Sequence, residues 1–158
     1  RQEMGGSEYF GEIGLRAGRP PSPSLSENLE LYRKLHQAIW EGYVASCHDA
    51  SDGGLGVALA ETAFAGRLGM EVDLRAVPCE GDLRDDVILF SESCGRFVVT
   101  VAPEKSGGFE RLMKDLPAAK VGVVTNEQRL AVKGSSGKVV VDMDTERLRQ
   151  AWQRPLAF

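Results

Sequence analysis

Chemistry in this chain is concentrated in Cys47-His48-Asp49-Ala50-Ser51-Asp52-Gly53-Gly54-Leu55, where a thiol, an imidazole, two carboxylates, a hydroxyl and two glycines occupy nine consecutive positions. Ser51 or Asp52 can cap a helix that follows, and the two glycines let the backbone turn tightly, with Gly53 or Gly54 at positive φ. A turn of that kind directs N–H groups outward at the positive end of a helix dipole, which suits a phosphate or carboxylate. The same residues also fit an ordinary N-cap and glycine turn without a ligand. A second polar corner, Ser91-Glu92-Ser93-Cys94-Gly95, ends another apolar stretch. Polar side chains gather where the backbone leaves a core, so Asp49, Ser51, Glu92 and Ser93 are expected on one edge of a sheet, facing a common cleft. Glu92 is expected to be structural, accepting from nearby backbone or from Arg96.

Other polar groups assemble into nothing catalytic. His36, His48, Cys47, Cys79 and Cys94 give no nucleophile, base and orienting group by spacing. No second His, Cys or carboxylate stands at metal-ligand spacing around His48. Asp82, Asp85 and Asp86 read as acids in the first turn of a short helix ending at Phe90, complementing its dipole, and not as a metal cluster. Gly134-Ser135-Ser136-Gly137-Lys138 has glycines too close together for a phosphate-binding P-loop, and Val139 replaces the Ser or Thr. It reads as a hairpin turn.

These corners must be positioned by regular elements. Ser24-Leu25-Ser26-Glu27 has the form of a capping box, and the helix it opens is predicted to run to about Val44. Leu29, Tyr32, His36, Ile39 and Tyr43 recur at steps of three and four as its buried face, with Leu31, Leu35, Ala38 and Trp40 as a second stripe. A helix so widely apolar is either central or partly covered by another domain. Leu55, Ala58, Leu59, Thr62 and Ala63 predict a second helix ending at Gly66 or Gly69, so the signature reads as a helix-loop-helix corner. Glu61, alone in that apolar middle, is expected to face solvent or pair with Arg67. Strands are predicted at Met70 to Leu74, Arg96 to Val101, Val121 to Thr125, Arg129 to Lys133 and Lys138 to Asp142. A helix from Pro103 to about Leu116 turns Phe109, Leu112 and Met113 inward. Asp144 reads as the cap of a terminal helix from Thr145 to Trp152. The result is an α+β domain with a mostly antiparallel sheet covered by helices. Residues 1–24, rich in Pro and Gly, read as a connecting arm, residues 25–153 as the domain, and residues 154–158 as a loosely held tail.

At 158 residues the chain can bury one sizeable core. A net charge of −4 with scattered basic residues leaves no footprint for nucleic acid, and no apolar run is long enough to span a bilayer. Three cysteines without CxxC spacing fit reduced thiols in a cytoplasm. The chain starts at Arg1 without methionine, as expected of a piece of a longer protein.

The signature His48-Asp49-Ala50-Ser51-Asp52-Gly53-Gly54-Leu55, followed by Ala58-Leu59-Ala60-Glu61, resembles that of the C-terminal domain of the phosphoribosylformylglycinamidine synthase family. Gly5-Gly6-Ser7-Glu8-Tyr9-Phe10 and Phe90-Ser91-Glu92-Ser93-Cys94-Gly95-Arg96-Phe97-Val98-Val99 resemble flanking segments of the same domain. The resemblance implies a C-terminal-type domain of the aminoimidazole ribonucleotide synthetase superfamily, the last of four domains in one chain. The family's reaction joins formylglycinamide ribonucleotide, ATP and ammonia from glutamine, with Mg²⁺ on the nucleotide. ATP and Mg²⁺ are thus implied for a full-length protein, together with sister domains and a glutaminase domain or subunit as partners. Asp49, Ser51, Asp52, Gly53, Gly54, Glu92 and Ser93 become candidate phosphate- or nucleotide-binding residues. In the family's first copy a Glu-Ser-Gln turn resembling Glu92-Ser93-Cys94 helps hold substrate; Cys94 here lacks the amide group. The family's catalytic His, its metal carboxylates and its ATP contacts lie in the N-terminal-type domains, so this domain alone is expected to be an inactive, cleft-forming part. The alternatives are a purely structural assembly domain or a domain of a related ATP-dependent synthetase.

Overall fold

Two glycines set the path of the first half of the chain. Gly42 and Gly53 adopt φ of 72° and 76°, a region open to glycine at no steric cost, and between them the backbone changes from helix to strand and back to helix. In this computed structural model, which describes residues 1–156, helix α2 (Leu25–Trp40) ends before Gly42, strand β1 (Val44–Asp49) follows, and helix α3 (Gly54–Gly66) begins directly after Gly53. The signature is therefore a strand-turn-helix corner, and the predicted extension of the first helix to Val44 is corrected. Val44 to Asp49 has little strand propensity of its own. Its conformation comes from antiparallel pairing with the β-prone strand β3 (Phe97–Val101), a long-range partner that local periodicity does not report.

The remaining strands form a second sheet in the order β4 (Gly122–Thr125), β2 (Gly69–Asp73), β5 (Arg129–Lys133), β6 (Val139–Asp144). The neighbours β2 and β4, and β5 and β6, run antiparallel, whereas β2 and β5 run parallel. The α+β class and the mostly antiparallel pairing are borne out, but the strands divide between two small sheets where a single one was expected. Hairpins are written in adjacent segments; the parallel pairing of β2 with β5 spans α4 (Asp85–Phe90), β3, α5 (Ser106–Leu112) and β4 and has no local signal.

Helix α3 is the centre of the main core. Ala58, Leu59 and Ala63 pack with Met70, Val72, Leu74, Ile88, Leu89, Leu130 and Val132 between the four-stranded sheet and α4. Small residues let α3 approach its neighbours closely, and truncating Leu59, which is 1% exposed, is expected to cost about 2–5 kcal/mol. A smaller cluster joins Leu35 and Ala38 of α2 to Met113, with Phe97, Val99, Phe109 and Leu112 around it. Only that narrow face of α2 is buried; Leu25, Leu29, Tyr32, Ile39 and Trp40 are exposed, which corrects the first predicted stripe. Ser24 is the N-cap of α2, but its side chain makes no capping hydrogen bond, and Glu27 reaches out to Arg1 at 3.0 Å in place of the expected capping box. Helix α6 (Thr145–Gln153) closes the fold, with the Asp144 carboxylate accepting from Arg147 N as expected of a cap.

The arm folds back over the domain. It contains a short helix, α1 (Glu8–Glu12), and its ends meet through Gly5 N donating to Arg19 O at 2.8 Å. Tyr9 stacks on Phe90 with centroids 4.6 Å apart. The tail read as loosely held begins as a short 3-10 turn, Arg154–Leu156; residues 157–158 lie outside the described residues.

Candidate functional site

The two polar corners meet. Strand pairing places Asp49 opposite Phe97, and Ala50 N donates to Arg96 O at 2.9 Å, so the chain leaves β1 where β3 begins. One residue then joins the corners directly. The Glu92 carboxylate, through Oε1, accepts from Gly53 N at 2.9 Å and from Glu8 N, at the start of α1, also at 2.9 Å. A carboxylate bonded by backbone amides at two helix starts holds its charge where the dipoles favour it. Glu92 accepts from backbone donors, one of the two partners expected for it; the other, Arg96, turns elsewhere, to the carbonyls of Ser91 and Ser93. Burial pulls the Arg96 guanidinium below its ordinary pKa, opposed by the nearby Glu3 carboxylate.

Gly53 and Gly54 both have positive φ, 76° and 63°. A Cβ on Gly54 would lie 2.4 Å from Ser91 O and 2.8 Å from Leu89 O, so the second corner packs backbone to backbone against the first. Neither Ser51 nor Asp52 caps α3: the N-cap is Gly53 and no side chain bonds there. The reason is that the Glu92 carboxylate arrives from outside the turn and takes the Gly53 amide, while Gly54 N donates to Ser51 O at 2.9 Å. The amides of Ser51 and Asp52 have no acceptor among the described residues. Asp49, Ser51 and Asp52 are exposed; Ser93 is buried, and its hydroxyl has no partner among the described residues.

The arm is part of this arrangement. Glu3 is buried, its carbonyl accepting from Glu92 N at 3.3 Å and its carboxylate from Ser22 N at 3.1 Å. Composition gave no hint of this, since a Pro- and Gly-rich segment reads as a connector. A further cluster missed by spacing is His48, Glu61 and Trp152. His48 Nε2 lies 2.6 Å from Glu61 Oε2, and Trp152 Nε1 donates to Glu61 Oε1 at 2.8 Å. Glu61 therefore pairs with His48 and not with Arg67, which is the C-cap just past the end of α3 and stands at neither the i+3 nor the i+4 position from Glu61. The signal was present in the sequence as a lone carboxylate within an apolar helix. Beside it a cavity of about 330 Å³ runs between α3, α4 and α6, lined by Val57, Phe64, Phe90, Leu130 and Leu148. Packing around Cys47 and the nearby Asp49 push its thiol above the ordinary range, which disfavours the nucleophilic thiolate.

Comparison with known proteins rests on more than these corners. Residues 3–135 match the family described as AIR synthase related protein, C-terminal domain. The chain belongs to this family. Within it, the chain is 38% identical over 157 residues to phosphoribosylformylglycinamidine synthase subunit PurL of a Thermoanaerobacter species, covering 96% of this chain and 20% of that one. A structure of Thermotoga maritima PurL complexed with FGAR superposes with a TM-score of 0.76 at 24% identity, over 86% of this chain and 23% of that one. The same protein complexed with ADP gives 0.69 at 28% identity, over 75% and 21%. The C-terminal-type domain anticipated from the signature is borne out. The chain spans about a fifth of the length of the curated relatives it matches.

Proposed function

We propose that this chain is one domain of a longer ATP-dependent C–N ligase of purine biosynthesis, converting formylglycinamide ribonucleotide, ATP and glutamine to formylglycinamidine ribonucleotide. The observation that carries the reading is identity to PurL sustained over nearly the whole chain, 38% over 157 residues. Within such an enzyme the domain frames a nucleotide cleft. Gly53, Gly54 and Glu92 fix the turn. Asp49, Ser51 and Asp52 present exposed polar groups beside the amides of Ser51 and Asp52, which have no acceptor among the described residues, and Ser93 is buried. When bound, ATP with Mg²⁺ would supply the phosphoryl group that activates the substrate amide. Among the described residues no three His, Cys, Asp or Glu side chains converge as metal ligands, so the metal is assigned to no residue of this chain. Sister domains and a glutaminase domain or subunit complete the enzyme. The three free, exposed cysteines fit a reducing compartment such as the cytoplasm, and no helix among the described residues is long and apolar enough to cross a membrane.

A structural reading has one specific observation in its favour: the Gly53 amide, the natural anion donor of the turn, is already bonded to Glu92. Amide NMR of the chain titrated with inorganic phosphate and with ADP separates the two. Saturable shifts at Ser51 and Asp52 are expected if the cleft reading holds, and unchanged amides at millimolar ligand would leave only the structural role. The isolated chain is expected to show no ATP turnover; turnover above background would contradict the assignment of catalysis to other domains.

A further inference from the structure

Helix α2 buries one narrow face and leaves another, equally apolar, uncovered. Leu25 and Trp40 are 81% and 84% exposed, and Leu29, Tyr32 and Ile39 about half exposed. At 100° per residue these five positions fall on one stripe running the length of the helix. The stripe is ordered. Tyr32 packs edge-on against Phe97 of β3 with centroids 5.9 Å apart, and His36 stacks on Trp40 at 6.5 Å. Scattered apolar residues are normal on a surface, but five large ones along one helix face, interrupted by His36, are the mark of an interaction face.

We propose that this stripe is an interdomain docking face, covered by another domain of the longer chain. The inference rests on the proposed function in taking this chain as one domain of several, and it adds which surface meets the neighbour. Two observations select the occupant. This chain amounts to a fifth of the length of its relatives, so four-fifths of such a chain lies outside the structure and needs faces against which to pack. A second copy fits poorly. Lys34 is paired with Glu30 and Asp115, while Arg33, with no ion-pair partner among the described residues, stands beside the stripe near its midpoint. An antiparallel two-fold packing centred on the stripe would bring the two Arg33 side chains to the same flank at its midpoint, and like charges there oppose association. The matching surface is apolar with an acidic group at its edge, toward Arg33.

Hydroxyl-radical footprinting read by mass spectrometry tests this on Trp40 and Tyr32, in the 158-residue chain and in the longer native protein. The expected result is modification of Trp40 at least tenfold slower in the longer protein, at a rate in the short chain that does not depend on concentration. Within the longer protein, Leu29→Asp with Ile39→Asp should return Trp40 to the fast rate, a comparison that holds even if the short chain does not fold. Equal rates in the two chains would overturn the proposal. So would concentration-dependent protection in the short chain, which would assign the face to a second copy, and so would a native protein with the mass of these residues alone, 17.2 kDa. The readout does not involve ligase activity, so absence of that activity and absence of docking are separate results.

Discussion

Helix α4 carries a carboxylate near each end, and each holds a glycine-bearing turn. Glu92, just past its C-terminus, accepts from Gly53 N, and Asp85, at its start, accepts from Ser135 N at 2.8 Å in the hairpin between β5 and β6. The two turns differ in what lies behind the glycine. A Cβ on Gly54 would meet the carbonyls of Ser91 and Leu89, whereas a Cβ on Gly134 would meet the Asp85 carboxylate at 2.2 Å and a Val140 methyl at 2.8 Å. Backbone cannot give way without moving α4, but a carboxylate and a methyl can rotate. The signature turn is thus fixed by the fold around it, and the hairpin is only pinned.

That difference is broken most directly by Gly54→Val. Positive φ and the carbonyl contact act together, and a loss of about 4 kcal/mol is expected from strain and overpacking combined. In urea unfolding a loss under 1 kcal/mol would mean that the corner is not rigid. Glu92→Ala is expected to cost about 2 kcal/mol, since it leaves two backbone amides without their acceptor. It should also loosen the arm, seen as faster tryptic cleavage after Arg16, with Glu92→Gln falling between. Asp85→Ala removes one bond from an exposed hairpin, and a loss of about 1 kcal/mol or less is expected from the same unfolding curves. If it matched Glu92→Ala, the contrast between the turns would fail. The smallest effect concerns Asp73. Its hydrogen bonds to Arg75 hold the carboxyl down at about 2, below an unfolded value of about 3.9. A depressed folded pKa stabilises above the unfolded value, and that contribution is lost as pH falls from about 4 through about 2. Asp73 is at the surface, so Asp73→Asn should flatten the acid limb of the stability profile only slightly.

How legible these regions were in the sequence follows from how local their causes are. The hairpin was readable because its turn residues and flanking β-prone runs are contiguous. So were α3 and two of the first-turn acids of α4, Asp85 and Asp86, whose periodicity and dipole logic lie within one segment; Asp82, expected with them, falls in the loop before the helix. The signature was recognisable as a site, and its glycines as positive-φ residues, yet it was assigned to the wrong pair of elements because β1 is a strand only by virtue of β3. Two capping expectations, at Ser24 and at Ser51 or Asp52, failed for a related reason. A carboxylate 39 positions away took the Gly53 amide, and Glu27 found Arg1. The exposure of Leu29, Tyr32 and Ile39 was only half legible: the width of the apolar face allowed a helix either central or covered by another domain, and periodicity does not choose between the two.

The account turns on Glu92 as the joint between the signature turn and the arm, and residue-resolved amide hydrogen exchange reads that joint directly. In Glu92→Ala the amides of Gly53 and Glu8 should both exchange at least tenfold faster than in the parent chain, while Ser135, held by Asp85, exchanges at an unchanged rate. Unchanged exchange at Gly53 and Glu8, or equal acceleration at Ser135, would contradict it.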